Sequence, residues 1–476
     1  MDPLRSAFDP NRFRQDARQI IDQLADYLDA ALDGKALPVL PSISPDDVEG
    51  RWRSDFPELG TGGFHELIRQ VLDASNHLHH PHYIGHQVTA PLPLAALCDL
   101  VAALLNNGMA VFEMGPAATM MERSVLQWMA ERLGFGRGAG GVLTSGGSVG
   151  NLTALLAARQ AKAGFDVWSE GAHAGPPLAL LASDQTHYCV QRAVQVMGWG
   201  SGGVISVASD ARYRMRANAL PDALRRAQQA GRSVIGVVAS SGSTATGAFD
   251  PLEAIADFCE ANDLWLHVDG AHGASVALSE RHRELLRGIE RADSVVWDAH
   301  KMLLMPALVT AVVFRDAKRS YEAFAQQASY LFAESDPQER WFDVGSRTLE
   351  CTKRMLSLKL YAALRVYGAR LFADYIAATI DLAQRFAARL QAAEDFEIAV
   401  EPQCNIVCFR YLPPTLLDVD TLQSRIRLRI VESGRFYLVQ TRLRDQTFLR
   451  ATLINPFTSD ADLDVLVEDI RNAARE

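Results

Sequence analysis

Four short, nearly uninterrupted apolar runs stand in the middle of the chain: LALLAS (178–183), VIGVVAS (234–240), LWLHVD (264–269) and SVVWD (294–298). Helical patterns lie between several of them, such as DALRRAQQAG (222–231) and PLEAIADFCEAN (251–262). A strand that is apolar on both faces must be covered on both. Such strands alternating with helices imply an α/β fold, a mostly parallel sheet with helices above and below. Ligands of these sheets bind beyond the carboxyl ends of the strands. The polar residues that end the runs are therefore candidates for a site, because an unpaired charge buried there would cost several kcal/mol.

Composition narrows what such a site serves. The chain has 476 residues, 48% hydrophobic and 22% charged, enough for two or three domains. A net charge of −10 argues against nucleic-acid binding through phosphate neutralisation. The most apolar stretch, PLPLAALCDLVAALL (91–105), carries Asp99 and is too short for a membrane span, so it reads as a core helix. The first residues, MDPLRSAFDPNRFRQDARQ, lack the apolar segment of a secretory signal. Six scattered cysteines fit no zinc spacing and suit free thiols in a reducing cytoplasm, with no metal expected.

Phe13, Ala17, Ile20, Ile21, Leu24 and Leu28 recur at helical spacing and predict an amphipathic helix whose stripe needs covering. The proline-bearing ALPVLPSISPDD (36–47) reads as a linker or extended arm. A helical region over 355–395 precedes shorter strands at 397–402, 406–412, 437–441 and 447–453, interleaved with helices at 419–432 and 459–474. The expected division is an N-terminal helical arm (1–75), a large α/β domain (76–355) and a small C-terminal α+β domain (356–476).

Several features meet at the strand ends. The second run closes in SSGSTATG (240–247), the third in Asp269, and the fourth in Asp298, followed by His300 and Lys301. Upstream, GGVLTSGGSVGNLTALLAARQ (140–160) reads as strand, Gly/Ser turn and helix, whose start offers backbone N–H groups to an anion. A lysine in a partly desolvated site has a lowered pKa and becomes a nucleophilic amine. An anion cradle, a carboxylate and a lysine together suit a phosphorylated aldehyde with a ring nitrogen, which is pyridoxal 5′-phosphate.

TSGGSVGNLTALLAAR, SDQTHY, HVDGAHGA, DAHK and SYLF together resemble the group II pyridoxal-phosphate-dependent amino acid decarboxylases. That family includes aromatic-amino-acid, glutamate, cysteine sulfinate and 2,4-diaminobutyrate decarboxylases. The resemblance runs from about residue 13 to the C-terminus. It implies the fold-type I architecture and a homodimer with shared active sites, the N-terminal arm buried against the partner. It makes Lys301 the Schiff-base lysine, Asp269 the partner of the pyridine nitrogen, and His187 and Ala271 the residues on the two ring faces. Ser148 and Val149 would hold the phosphate through backbone amides, with Thr244 and His300 completing the cage. Asp298 stands where the family often has asparagine, beside the phosphate. An ionised carboxylate there would repel it, so Asp298 is expected to be turned onto a backbone N–H or protonated.

The resemblance also implies decarboxylation of an L-amino acid, with Tyr330 protonating Cα and 332–347 closing as a flap. His86, Gln87 and Thr89 match the substrate-side segment, and Gly108, Ala110 and Phe112 match a stretch supplied by the other subunit. Arg450 matches an arginine that binds a distal carboxylate in glutamate-type relatives. Small residues at 108 and 110 favour a polar aliphatic substrate such as 2,4-diaminobutyrate or a glutamate- or aspartate-like acid over an aromatic one. Two further readings compete with this one. Another fold-type I enzyme, such as an aminotransferase, needs the same lysine, aspartate and cradle. The Gly134-x-Gly136-x-x-Ala139 spacing mimics a dinucleotide fingerprint, but a helical pattern precedes it where a strand is required.

Overall fold

The four apolar runs become four strands of one sheet. The computed structural model describes residues 3–35, 37–41, 44–53, 56–60, 62–324, 342–413 and 418–475. Seven strands, β1 (Gly140–Thr144), β2 (Leu178–Ser183), β3 (Val204–Val207), β4 (Ser233–Ser240), β5 (Trp265–Asp269), β6 (Ser294–Asp298) and β7 (Thr310–Phe314), are ordered β1-β7-β6-β5-β4-β2-β3. The neighbours from β6 through β3 pair in parallel. β7 runs antiparallel to both β6 and β1. All residues of β2, β6 and β7 are buried, which is why their sequences show no alternation. β3 is a short edge strand with only Val207 buried.

This topology brings particular residues to one edge. β4, β5 and β6 run the same way, so Ser240, Asp269 and Asp298 are their last residues on one side of the sheet. Reversed β7 starts there, Thr310 opposite Asp298, and β1 ends there, Thr144 opposite Thr310. The helix Gly147–Lys162 departs from that edge after a two-residue turn and packs across β4 to β7.

Four further strands, β8 (Phe396–Ile398), β9 (Ile406–Tyr411), β10 (Val439–Leu443) and β11 (Gln446–Thr452), form a second sheet in the order β10-β11-β9-β8. The helix Val419–Glu432 follows the sequence expectation, and Asp460–Arg475 starts one residue late. By contacts the chain forms two compact units: Met1–His86 with Leu390–Ala399 and Cys408–Glu476, and Gln87–Arg389 with Val400–Val407. The N-terminal segment and the C-terminal strands and helices thus share a unit.

Two expectations change. Pro45, within the proposed linker, occupies the first turn of a helix, Pro45–Trp52, capped by Ser44 Oγ accepting the Asp47 N–H at 3.1 Å. The stretch read as a core helix, Pro93–Leu105, turns its small side inward: Ala95, Cys98 and Ala102 are buried. Leu97, Leu104 and Leu105 are 47%, 67% and 56% exposed. The amphipathic helix Pro10–Asp33 forms as expected, yet Phe13, Ile21 and Leu24 remain 47%, 39% and 39% exposed in the single chain. None of the described helices is long and apolar enough to cross a membrane.

Candidate active site

The residues that end β4, β5 and β6 line one cavity together with the start of the helix Gly147–Lys162. Ser148, His187, Thr244, Asp269, Ala271, Asp298, His300 and Lys301 all line it, as do Asn151 and Cys189. These first eight were expected from the sequence, whereas Val149, the ninth residue expected at the cofactor, is not on the wall. Asn151, Cys189 and Thr310, which bonds Asp298 from behind the wall, were not foreseen.

The start of the helix Gly147–Lys162 has no side-chain cap and no acid in its first turn. Its leading N–H groups thus present the positive end of the helix dipole uncompensated from within the helix. Gly147 keeps this approach uncrowded, since a Cβ there would sit 3.2 Å from both carboxylate oxygens of Asp298, tighter than an ordinary contact. Across the cavity the SSGSTATG turn begins with Gly242 at φ +77°, where a Cβ would meet the Gly273 backbone at 2.9 Å. Ser243 Oγ lies 3.1 Å from Thr246 Oγ1 and accepts the Ala248 N–H at 3.1 Å, which stiffens the turn that carries Thr244.

Asp269 ends β5 with its Oδ1 accepting the Ala271 N–H at 3.2 Å. His187 caps the helix Tyr188–Val196: its Nδ1 accepts the Cys189 N–H at 3.3 Å, which leaves Nε2 to carry the hydrogen of a neutral ring. Burial holds its pKa down, against the pull of Asp269. His300 Nδ1 donates to the Val309 carbonyl at 2.9 Å.

The charge on Asp298 differs from the sequence expectation. Asp298 is 1% exposed, and its carboxylate meets the Thr310 hydroxyl and the Lys301 amine rather than a backbone N–H among the described residues. Its Oδ1 accepts the Thr310 hydroxyl at 2.5 Å, and its Oδ2 lies 2.9 Å from Lys301 Nζ. Burial would raise its pKa, but Lys301, His300 and Thr310 together hold it below the ordinary value. Lys301 departs in the matching direction. Burial pushes its pKa down, yet the carboxylates of Asp298 and Asp269 outweigh burial and leave it raised. The desolvation argument for a lowered pKa neglected the second carboxylate, three residues upstream. In this state the site holds a charged lysine paired to a charged aspartate.

The cavity fits the phosphorylated pyridine aldehyde proposed from sequence. An uncapped helix start suits the phosphate, a primary amine suits the aldehyde, and a strand-end carboxylate suits the ring nitrogen. The buried Asp298 beside Gly147 is the one feature opposed to a second anion, and its pairing with Lys301 and Thr310 neutralises part of that opposition.

The substrate-side residues divide between the units. In the first, the His86 ring lies 5.7 Å from Tyr437, and Arg450, 6% exposed, sits on β11 opposite Val439. In the second, Thr89 is buried, and the Phe112 N–H donates to Asp343 Oδ1 at 2.9 Å. Gln87 Nε2 is buried without a hydrogen-bond partner among the described residues. Tyr330 and most of the 332–347 stretch lie outside the described residues.

Residues 64–412 match the family model described as the pyridoxal-dependent decarboxylase conserved domain. The chain is 31% identical to an aromatic-L-amino-acid decarboxylase of Bacillus atrophaeus, over 97% of this chain and 95% of that protein. It is 32% identical to the cysteine sulfinic acid decarboxylase of Mus musculus, over 85% of this chain and 84% of the relative. The crystal structure of mouse CSAD superimposes with a TM-score of 0.91 at 28% identity, covering 98% of this chain and 99% of that one.

Proposed function

We propose, for a chain that belongs to the pyridoxal-dependent decarboxylase family, that its substrate is an L-amino acid with a short polar aliphatic side chain. Family membership makes it a carboxy-lyase acting on amino acids with pyridoxal phosphate as cofactor. When bound, that cofactor supplies the electron sink into which the broken Cα–carboxylate bond discharges.

The residues then take these roles. Lys301 would supply the amine that holds the cofactor through its aldehyde carbon. Asp269 holds the proton on the ring nitrogen, an interaction worth roughly 1.5–3 kcal/mol for a charge-assisted pair. His187 and Ala271 sandwich the ring, and neutral His187 adds no competing cation beside it. The Ser148 and Val149 amides hold the phosphate, with Thr244 and His300 closing the cage. Tyr330 delivers a proton to Cα after carbon dioxide leaves. A homodimer with shared sites is part of this reading. It is supported by the exposed leucines of Pro93–Leu105 and, separately, by the exposed stripe of Pro10–Asp33.

The substrate reading is supported by Gln87, whose Nε2 is buried without a partner among the described residues although Gln87 is not on the cavity wall. A substrate carboxylate or sulfinate would supply the missing acceptor, as would a phenol oxygen, whereas an ammonium or an indole N–H would not. The small size of Gly108 carries less than its sequence suggested, because a Cβ there would stand 2.7 Å from Thr352 Cγ2, a packing reason independent of substrate. The aromatic alternative keeps one support, the similarity to the Bacillus atrophaeus enzyme along nearly the whole chain. Carbon dioxide and amine release across a panel with cysteine sulfinate, aspartate, glutamate, 2,4-diaminobutyrate, tyrosine and tryptophan decides between them. The polar acids should be turned over and Lys301→Ala should turn over none, while Tyr330→Phe in air should shift product from amine toward aldehyde, ammonia and hydrogen peroxide, with dioxygen as the oxidant. Preference for tyrosine or tryptophan would overturn the substrate reading, and an active Lys301→Ala the lysine assignment.

A further inference from the structure

Two residues before Asp269, on the same face of β5, lies His267, 1% exposed and absent from the cavity wall. Its Nε2 is 2.8 Å from Asn151 Oδ1 and its Nδ1 is 2.8 Å from Ser294 Oγ. Ser294 Oγ also accepts the Trp265 indole N–H at 2.9 Å, and Asn151 Nδ2 donates to the Gly147 carbonyl at 2.9 Å. The chain of bonds therefore crosses from β6 through β5 to the first turn of the helix Gly147–Lys162.

The hydrogens in this chain can run only one way. The Gly147 carbonyl only accepts, so Asn151 turns its amide nitrogen to it and its Oδ1 to His267 Nε2, which must then carry the ring hydrogen. Nδ1 of the neutral ring accepts from Ser294 Oγ, which itself receives the Trp265 indole N–H. Burial pushes the His267 pKa down to about 4, in keeping with a neutral ring. The carbonyl at the end belongs to the peptide plane that also carries the Ser148 N–H. Holding one holds the other, because the plane is rigid.

We propose that His267 is a positioning residue for the cofactor's phosphate, acting through Asn151 to fix the peptide plane whose N–H is that of Ser148. The proposal rests on the reading that the Ser148 and Val149 amides hold that phosphate. A histidine that only fills the core would matter equally to any ligand of the cavity. A histidine that aims the Ser148 amide matters only to a ligand with a phosphate.

Equilibrium binding of pyridoxal 5′-phosphate and of pyridoxal to the cofactor-free full chain separates the two. The wild type should prefer the phosphorylated form. His267→Phe should lose roughly tenfold of that preference, the factor set by one misdirected buried hydrogen bond, and pyridoxal binding should hold within about twofold. His267→Gln, whose amide can donate to Asn151, should regain most of the loss. Asn151→Ala, which breaks the chain at its last link, should reproduce the Phe phenotype and serves if His267→Phe fails to fold. Equal weakening toward both ligands, or no change in either, overturns the positioning role. A wild type that binds both alike overturns the phosphate cradle itself.

Discussion

Replacing Asp298 by Asn leaves shape almost unchanged and removes one charge, and Lys301 should respond by giving up its proton. The two groups are 2.9 Å apart, with Asp298 side chain 2% and Lys301 side chain 19% exposed. At an effective dielectric near 20, their attraction is about 6 kcal/mol, from roughly 332/(20 × 2.9). With that attraction removed, burial continues to disfavour the ammonium and of the two carboxylates only Asp269 still favours it, so the Lys301 pKa should fall in Asp298→Asn. The Thr310 hydroxyl keeps an acceptor in the Asn oxygen, so the local hydrogen bond survives. The assay is the rate at which cofactor-free protein forms the lysine–cofactor linkage, followed by its absorbance as a function of pH. Only the free amine reacts, so the midpoint should move to lower pH, and removal of the charge beside Gly147 should tighten phosphate binding. An unchanged midpoint would refute the claim that this carboxylate holds the proton on Lys301. Stability follows the same pair. The lowered Asp298 pKa stabilises the fold above about pH 4 and is lost as pH falls through its folded value. The raised Lys301 pKa stabilises below about pH 10 and is lost as pH rises through its folded value. Asp298→Asn should flatten that plateau.

Two further outcomes are expected. Asp269→Asn should keep its melting temperature, because an Asn oxygen can still accept the Ala271 N–H, while turnover at saturating cofactor drops roughly ten- to hundredfold; wild-type turnover would remove the role given to the carboxylate. Sedimentation should give twice the 52.2 kDa chain mass, and Leu97→Glu with Leu104→Glu should yield an inactive monomer; a monomeric, active wild type would sink the shared-site reading.

How far the chain could be read from its sequence depended on whether a residue's role was local. β2 and β6 were legible to the residue, since burial on both faces leaves an unbroken apolar run, and Asp269 and Lys301 stood out as charges where that run stops. β7 hides in ALVTAVVF, a run of the same kind, and nothing in it says that it reverses direction; burial is the same for either orientation. The outward leucines of Pro93–Leu105 were read as core because a stretch apolar all round does not report which of its sides packs inward. The ionisation of Lys301 could not be read at all, because it turns on a 2.9 Å approach to Asp298 that no spacing reports. The chain of hydrogen bonds behind the site was hidden for the same reason. His267 looks like a strand residue, Ser294 like a strand start and Asn151 like a helix residue, and 116 positions separate the histidine from its asparagine. What such residues do is set by which donor is left with one acceptor, and that accounting exists only after folding has brought them together.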